Sequence, residues 1–452
     1  MPKTPRYIAL EILNKVEKEG GHADEVIGNS FKAEPELSYQ EKAFITELVY
    51  GVLRWKYTID WVLKQFSTSP NRRISRHIRN LLRIGIYQVL YLTHIPIPVL
   101  VNATVNLAKE LTNEKIASLV NGLLRTVERK REAIRFPSFE ENPAQAIAIR
   151  YSHPVWLVEK WLHQLGAEET ISLCKVNNTP PPFTIRTNIL KVTREKLREY
   201  LTKEGLVCEA TEHSPDGIII SHPADVTRLA SFQKGWFFVQ DEAAQLISYL
   251  VNPRSGEAIL DLCAAPGGKT THLAQLMNNQ GQIVAVDVRF DRFLLLKENQ
   301  SRLGITVIKP VLADATQWFP LQDHKKFDKV LLDAPCSGLG VLRRHPEGKW
   351  SKSWLMVNRL KKTQLTMIQN ASHYVTLGGV MVYSTCALNA EENEQIVEQF
   401  LLQTGNEFQI ENPLPYLPSQ DVPFINSRGY FQTFPHRDSM DGFFAVRLRR
   451  VA

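Results

Sequence analysis

Apolar residues recur at helical spacing through the first third of the chain, then give way to short apolar runs separated by helical stretches. Ile8, Leu10, Ile12, Leu13 and Val16 keep helical spacing, as do Phe44, Leu48, Val52 and Trp55, and then Ile78, Leu81, Leu82 and Gly85. Glycines are few and Asn/Pro breaks separate the segments, so residues 6 to about 135 predict a compact all-α domain of six or seven helices. The stretch 136–145, with Pro137 and Pro143, reads as a linker, and 155–174 as a further helix. Asn177-Asn178-Thr179-Pro180-Pro181-Pro182 is the clearest boundary. Beyond it 183–188 and 217–221 read as strands around a helix at 194–204. This small α+β subdomain has too little core to stand alone and is expected to wall one side of a cleft in the next domain.

From Gly256 onward strands alternate with helices, the pattern of a doubly wound, Rossmann-like α/β sheet. The expected strands are 258–262, 283–288, 307–312, 329–332 and 380–384, with a late alternating strand at 442–449. A hairpin partner near 430–434 would set that last strand antiparallel at the sheet edge, and the stretch 412–423, with four prolines, reads as a surface loop. The expected domains are therefore 1–140, all-α; 141–235, linker helices and the α+β subdomain; and 236–452, the α/β sheet.

Composition changes this picture little. At 452 residues, 44% apolar and 22% charged, the chain reads as an ordinary globular protein of two or three domains. The net charge is +7, and residues 1–140 hold 21 Lys+Arg against 15 Asp+Glu, so +6 of it lies in the helical part. Five cysteines at 174, 208, 263, 336 and 386 form no C-x-x-C pair, which points to a reducing cytosol and to neither a disulfide framework nor a metal site. No apolar run is long enough to cross a membrane and no leader pattern opens the chain, so a cytoplasmic protein is expected. Arg72, Arg76, Arg79 and Arg83, spaced four, three and four apart, would line one helical face able to hold phosphates. A solvated helix face accounts for such a stripe equally well. Arg125, Arg129, Lys130, Arg131 and Arg135 form a second basic cluster.

The candidate chemistry lies in the sheet. In Asp261-Leu262-Cys263-Ala264-Ala265-Pro266-Gly267-Gly268-Lys269-Thr270-Thr271 a strand ends in a small-residue turn and a helix begins. Such a turn lets a ligand approach the backbone at a helix N-terminus. A Walker loop needs glycine where Cys263 stands, and G-x-G-x-x-G is absent, so a ligand bearing a carboxylate, such as S-adenosylmethionine, remains. Asp287, 20 residues after Gly267, would take ribose hydroxyls, and Asp314 an adenine amino group. One aspartate at a strand end is more often a helix cap, but three in succession, with Asp333, are hard to read that way. The 327–332 strand delivers Asp333-Ala334-Pro335-Cys336-Ser337-Gly338, and the 380–384 strand delivers Thr385-Cys386. Two thiols and an acid at neighbouring strand ends suit covalent chemistry on a pyrimidine ring: a thiolate adding to carbon 6 makes carbon 5 nucleophilic, and an acid serves N3. A lone cysteine is usually a buried structural thiol, and spacing does not decide which of the two attacks.

These motifs, with Arg343-Arg344-His345-Pro346 and Glu391-Glu392-Asn393-Glu394, resemble the RNA cytosine-C5 methyltransferases of the Nop2/Sun class, and the helical first domain resembles the NusB fold. That combination is similar to the bacterial 16S ribosomal RNA branch (Fmu/Sun). The resemblance implies S-adenosylmethionine as cofactor, held by Cys263, Ala264, Ala265, Pro266, Gly267, Gly268, Lys269, Asp287, Arg292, Asp314 and Asp333. It implies Cys386 as nucleophile, Cys336 in product release and Asp333 as the acid at N3. The substrate it implies is a cytosine of 16S rRNA, cytosine 967, in naked RNA or an early small-subunit particle, with the protein a monomer. Arg343, Arg344 and Lys349, with neighbouring basic residues and Trp350 and Trp354, would join Arg72, Arg76, Arg79 and Arg83 in contacting RNA. Three other readings stand beside this one: a non-catalytic NusB-like RNA-binding or antitermination factor, a DNA methyltransferase, and a C5 methyltransferase acting on another RNA.

Overall fold

The computed structural model describes residues 4–67, 74–221, 225–317, 326–419 and 422–452. The chain packs as two units: Met1–Pro180 with Leu342–Ser351, and Pro181–Val341 with Lys352–Ala452.

In the first unit local capping places the helices. Helix α1 (Pro5–Glu19) begins where the Thr4 hydroxyl accepts the Tyr7 N–H, and ends at Gly20 in the left-handed region. α2 (Ala23–Ala33) follows, then α3 (Tyr39–Phe66), opened by a capping box between Ser38 and Glu41. α4 (Arg76–Tyr91) is capped by Ser75, α5 (Ile97–Leu111) starts at a proline, and α6 (Glu114–Lys130) is capped by Asn113. Their apolar faces meet in one core that includes Ile12, Leu48, Val52, Leu81, Leu82 and Leu124. Each such side chain contributes about 1.5–3 kcal/mol relative to exposure. The expected all-α domain is thus present. α7 (Pro143–Arg150) and α8 (Val155–Val176) also belong to this unit, through Thr58 Oγ1 to the Ile149 carbonyl at 2.6 Å and the Tyr57 N–H to Ser152 Oγ at 2.9 Å. α7 and α8 thus fall in the first unit, while residues 181–235 fall in the second.

The second unit opens with an antiparallel sheet ordered β2-β3-β1-β4. Its elements are β1 (Phe183–Thr187), α9 (Arg194–Lys203), β2 (Val207–Ala210), β3 (Gly217–Ser221), α10 (Ala230–Gln233) and β4 (Phe237–Val239). The main sheet is built from α11 (Glu242–Val251), β5 (Ala258–Leu262), α12 (Gly268–Leu276), β6 (Gln282–Asp287), α13 (Phe290–Leu303), β7 (Ile308–Leu312) and β8 (Phe327–Asp333). After α14 (Gly348–Ser351), which packs in the first unit, come α15 (Trp354–Ser372), β9 (Val375–Thr385), α16 (Glu394–Thr404), β10 (Phe408–Ile410), β11 (Phe431–Gln432), α17 (Pro435–Asp438) and β12 (Phe444–Arg450). The strand order is β10-β12-β9-β8-β5-β6-β7, with β9 through β7 parallel and β12 antiparallel to both β9 and β10. The chain runs outward from β5 to β7 and then crosses to β8 on the other side. Such a switch point opens a crevice at the carboxyl ends of β5 and β8.

One expectation about this sheet fails. The late strand pairs with β11 as expected but is not an edge strand, because β10 covers it. Arg447 of β12 is buried there, donating to Glu411 Oε2 at 2.6 Å and to the Leu250 carbonyl at 2.6 Å.

Candidate active site

The turn after β5 is held by its neighbours in the sheet. Cys263 takes a φ of 65° and Gly267 one of 102°, and a Cβ at Gly267 would stand 2.6 Å from Leu296 Cδ1, so only glycine fits. The Ala264 N–H reaches the Val286 carbonyl at 2.9 Å, and the Ala265 N–H reaches Asp287 Oδ2 at 3.0 Å. Asp287 also accepts the Arg289 N–H through Oδ1, and Asp314 Oδ1 accepts the N–H and hydroxyl of Thr316. Arg292 lies in the first turn of α13, partly exposed. Asp287, Asp314 and Asp333 end or follow the neighbouring strands β6, β7 and β8, so carboxylates ring the turn. These acceptors repel a polyphosphate and suit a ligand with hydroxyl and amino groups to donate.

β8 and β9 bring the chemistry together. Asp333 pairs in register with Ser384, whose hydroxyl donates to Asp333 Oδ1 at 2.9 Å. Lys269, from the first turn of α12, sets its Nζ 2.7 Å from Asp333 Oδ2. One residue past β9, Cys386 places its Sγ 3.3 Å from that of Cys336. Both cysteines are partly exposed. Gly340 makes this approach possible: its N–H donates to the Cys386 carbonyl at 2.9 Å, and a Cβ there would lie 2.0 Å from the Gly442 carbonyl oxygen. Beneath the thiols, buried Glu392 accepts the Ser337 N–H at 2.8 Å, the Ser337 hydroxyl at 2.5 Å and the Gln364 amide at 3.0 Å. Asn393 accepts the Thr385 hydroxyl at 2.6 Å and donates to the Ala387 carbonyl at 3.0 Å. Thus the acidic motif after Cys386 braces both cysteine turns.

The charges around the thiols differ. Hydrogen bonding with the Cys336 thiol holds the Cys386 thiol below its ordinary value against burial and Asp333, and Lys269 adds to the lowering. The same bond raises Cys336 well above its ordinary value, with burial and Glu392 pushing the same way. The pair releases its first proton from Cys386, on which the Lys269 ammonium acts. Burial, with four aspartates around it, pushes the Cys263 thiol up and leaves it a poor nucleophile. Burial also raises Asp261 to about 7, although the Thr270 hydroxyl donates to it at 2.6 Å.

The family model described as 16S rRNA methyltransferase RsmB/F matches residues 248–449, the NusB family model residues 3–129, and the RsmF/B-like ferredoxin-like domain residues 153–227. The chain is 36% identical to the probable ribosomal RNA small subunit methyltransferase B of Bacillus subtilis (strain 168), with all of both chains covered. The chain belongs to the small subunit methyltransferase B family. Among solved structures it is similar to PH0851, with a TM-score of 0.81 at 28% identity, covering 100% of this chain and 99% of that one. It is also similar to NSun6 from Pyrococcus horikoshii, solved with SFG, with a TM-score of 0.58 at 27% identity over 66% of this chain and 98% of that one.

The basic residues of this chain sort differently from the expectation. Arg76 and Arg79 are exposed on α4 and Arg72 lies outside the described residues. Arg83, however, is buried in a bidentate pair with Asp60 at 2.7 and 2.6 Å and a contact to Glu17 at 2.8 Å. Acids on α1 and α3 claim it, so it has no guanidinium left for a phosphate. Lys349 is 1% exposed, with its Nζ on the carbonyls of Arg54 and Ser152 at 3.3 Å each and on Asn178 Oδ1 at 2.5 Å, and burial pushes its ammonium well below the usual range. Arg343 is likewise buried, donating to Thr179 Oγ1 and the Pro180 carbonyl. Trp350 donates its indole N–H to the Leu53 carbonyl at 2.7 Å and is packed rather than free to stack. Arg344 is partly exposed. At the surface lie Arg76 and Arg79, which with Lys56 and Trp350 line a cavity of about 530 Å³, the second cluster, from Arg125 to Arg135, and Arg359 and Lys362 of α15.

Sequence reasoning missed Arg186 altogether. Buried on β1, it donates to the Gly268 carbonyl at 2.5 Å, Thr271 Oγ1 at 3.0 Å and Gln275 Oε1 at 3.2 Å, and burial pulls it down to about 9. The small subdomain therefore fixes the helix that follows the glycine turn. A lone arginine in an alternating strand carried no signal of this.

Proposed function

We propose that this chain methylates carbon 5 of a cytosine in 16S ribosomal RNA, with S-adenosylmethionine as methyl donor and cytosine 967 as the target. The observation that carries the reading is the 3.3 Å approach of Cys336 and Cys386 beside the Lys269–Asp333 pair. A small subunit rRNA methyltransferase named for a full-length relative supports the RNA substrate, and a solved neighbour holding SFG supports a small-molecule cofactor. In this reading residues 263–269, Asp287, Arg292, Asp314 and Asp333 hold the cofactor, which supplies an electrophilic methyl group.

Cys386, the sulfur on which the Lys269 ammonium acts, adds as thiolate to carbon 6 of the flipped base. Asp333, held by Ser384 and backed by the Lys269 ammonium, serves N3, so that charge does not build on the ring as carbon 5 becomes nucleophilic. Carbon 5 then carries both the new methyl group and its own proton. A base takes that proton, and the Cys336 thiol, 3.3 Å from the Cys386 sulfur, assists release by hydrogen-bonding the thiolate as it leaves carbon 6. Elimination returns Cys386 and releases the product. Pairing of the base would hide carbon 6, so the substrate cytosine is unstacked, in naked RNA or an early small-subunit particle. Arg76, Arg79 and the 125–135 cluster contact phosphates, and the protein acts in the cytoplasm as a monomer.

Bisulfite sequencing of 16S RNA from cells with and without this protein tests the reading. A single protected cytosine that disappears with the protein is expected, and an unchanged pattern rejects it.

A further inference from the structure

Outside the sheet, four metal-ligating side chains converge within the first unit: His22 and Asp24 at the start of α2, and His345 and Glu347 just before α14. We propose that they bind one divalent first-row transition ion of the zinc type. One ligand atom from each lies within 4.8 Å of every other. The Nδ1 atoms of His22 and His345 each stand 3.5 Å from Glu347 Oε1. That is long for an N–H···O hydrogen bond. It is close to the edge of a zinc tetrahedron, about 3.3–3.4 Å for metal–ligand bonds of about 2.0–2.1 Å. The two rings meet edge to face with centroids 5.3 Å apart, which lets both Nδ1 atoms address the same carboxylate.

Glu347 supplies an independent observation. It is 7% exposed, and its Oε2 has no hydrogen-bond partner. Buried carboxylate oxygens are normally paired, and a cation held by both oxygens of Glu347 satisfies this one. Oε1 accepts the Ala23 N–H at 3.2 Å, the kind of outer bond that orients a ligating carboxylate. Exposed Asp24 closes the fourth position by a change of rotamer. Two imidazoles with two carboxylates favour zinc over magnesium or calcium, which take six or more oxygens. The ion clamps the 342–351 segment to the start of α2. Inspection of cysteine spacing had no access to this site, because its ligands are two His-x-acid steps more than 300 positions apart.

The test uses tag-free, full-length protein stripped with a chelator. Titration with Zn²⁺ alone is followed by calorimetry, titration with Co²⁺ alone by visible absorption, and Mg²⁺ serves as control. One Zn²⁺ per chain, tetrahedral Co²⁺ bands and a Zn²⁺-dependent rise in Tm are expected. Losing even an outer-shell partner costs up to about 100-fold in affinity, so His22→Gln should weaken Zn²⁺ binding by at least about 100-fold. Asp24→Asn should weaken it by about tenfold, and both should lose most of the Tm rise. Both positions are at the surface of α2, and each variant's Tm without metal reports its fold. No saturable uptake by the unaltered protein, or equal affinity in both variants, overturns the proposal.

Discussion

Cys336 and Cys386 are fifty positions apart in the chain and 3.3 Å apart at sulfur. The separation is far longer than a disulfide, so these are two thiols in contact rather than one crosslink. Their surroundings are unlike: the Lys269 ammonium acts on Cys386 and the Glu392 carboxylate on Cys336. A division of labour follows. Cys386→Ala should abolish methyl transfer from labelled S-adenosylmethionine to unmethylated 16S RNA. Cys336→Ala should form the carbon–sulfur bond but fail to resolve it, giving a covalent RNA adduct that survives a denaturing gel. An adduct in Cys386→Ala and none in Cys336→Ala would exchange the two roles.

The same contrast sets a pH dependence. A thiol held below its ordinary value of 9.0 ionises earlier as pH rises, so the acid limb of Cys386 alkylation by iodoacetamide should lie below pH 9.0. Cys336, held above it, should resist alkylation while Cys386 is intact. Lys269→Met removes the ammonium and leaves Asp333 unopposed, and both changes disfavour the thiolate. The limb should therefore move to higher pH in that variant, read by peptide mass spectrometry across a pH series. A limb that stays in place would remove Lys269 from activation of the thiol.

Glu392 gives a prediction about the support under the thiols. Its two oxygens take both Ser337 donors and the Gln364 amide in a buried site. Glu392→Gln keeps one acceptor and turns an amide toward one of those donors. With charge-assisted hydrogen bonds worth about 1.5–3 kcal/mol each, a loss of about 2–4 kcal/mol in denaturant unfolding is expected. The turn carrying Cys336 should loosen, so product release should slow more than substrate binding weakens, seen as a fall in kcat with little change in KM.

Much of this site was legible because its chemistry sits at strand ends. The β8 and β9 runs are apolar, stop at Asp333 and Thr385, and so announce where the next side chains emerge. The glycine turn was legible for the same reason. Residues that work through tertiary packing were not. Arg83 kept helical spacing with Arg76 and Arg79, yet Asp60 and Glu17 arrive from other helices and bury it. β2 and β4, four and three residues long, and the three-residue β10 are too short for alternation to register, which is why β12 was expected at an edge.

Lys349 and the exposed arginines of α4 separate two uses of positive charge. Lys349 aims three N–H groups at three oxygens inside the first unit, so Lys349→Met should leave those acceptors buried and bare. Each costs about 1–3 kcal/mol, which predicts a loss of about 3–9 kcal/mol by thermal or denaturant unfolding. RNA affinity of the folded fraction should not change, because the ammonium is not at the surface. Arg76→Ala and Arg79→Ala should do the reverse, leaving unfolding within about 0.5 kcal/mol of the parent. Each should lower the slope of log affinity against log salt by about 1, one phosphate contact per arginine. Affinity titrations at several salt concentrations read that slope directly. An unchanged slope in the Arg76→Ala, Arg79→Ala double variant would move the phosphate contacts to the 125–135 cluster, where Arg125, Arg129, Lys130, Arg131 and Arg135 are all exposed.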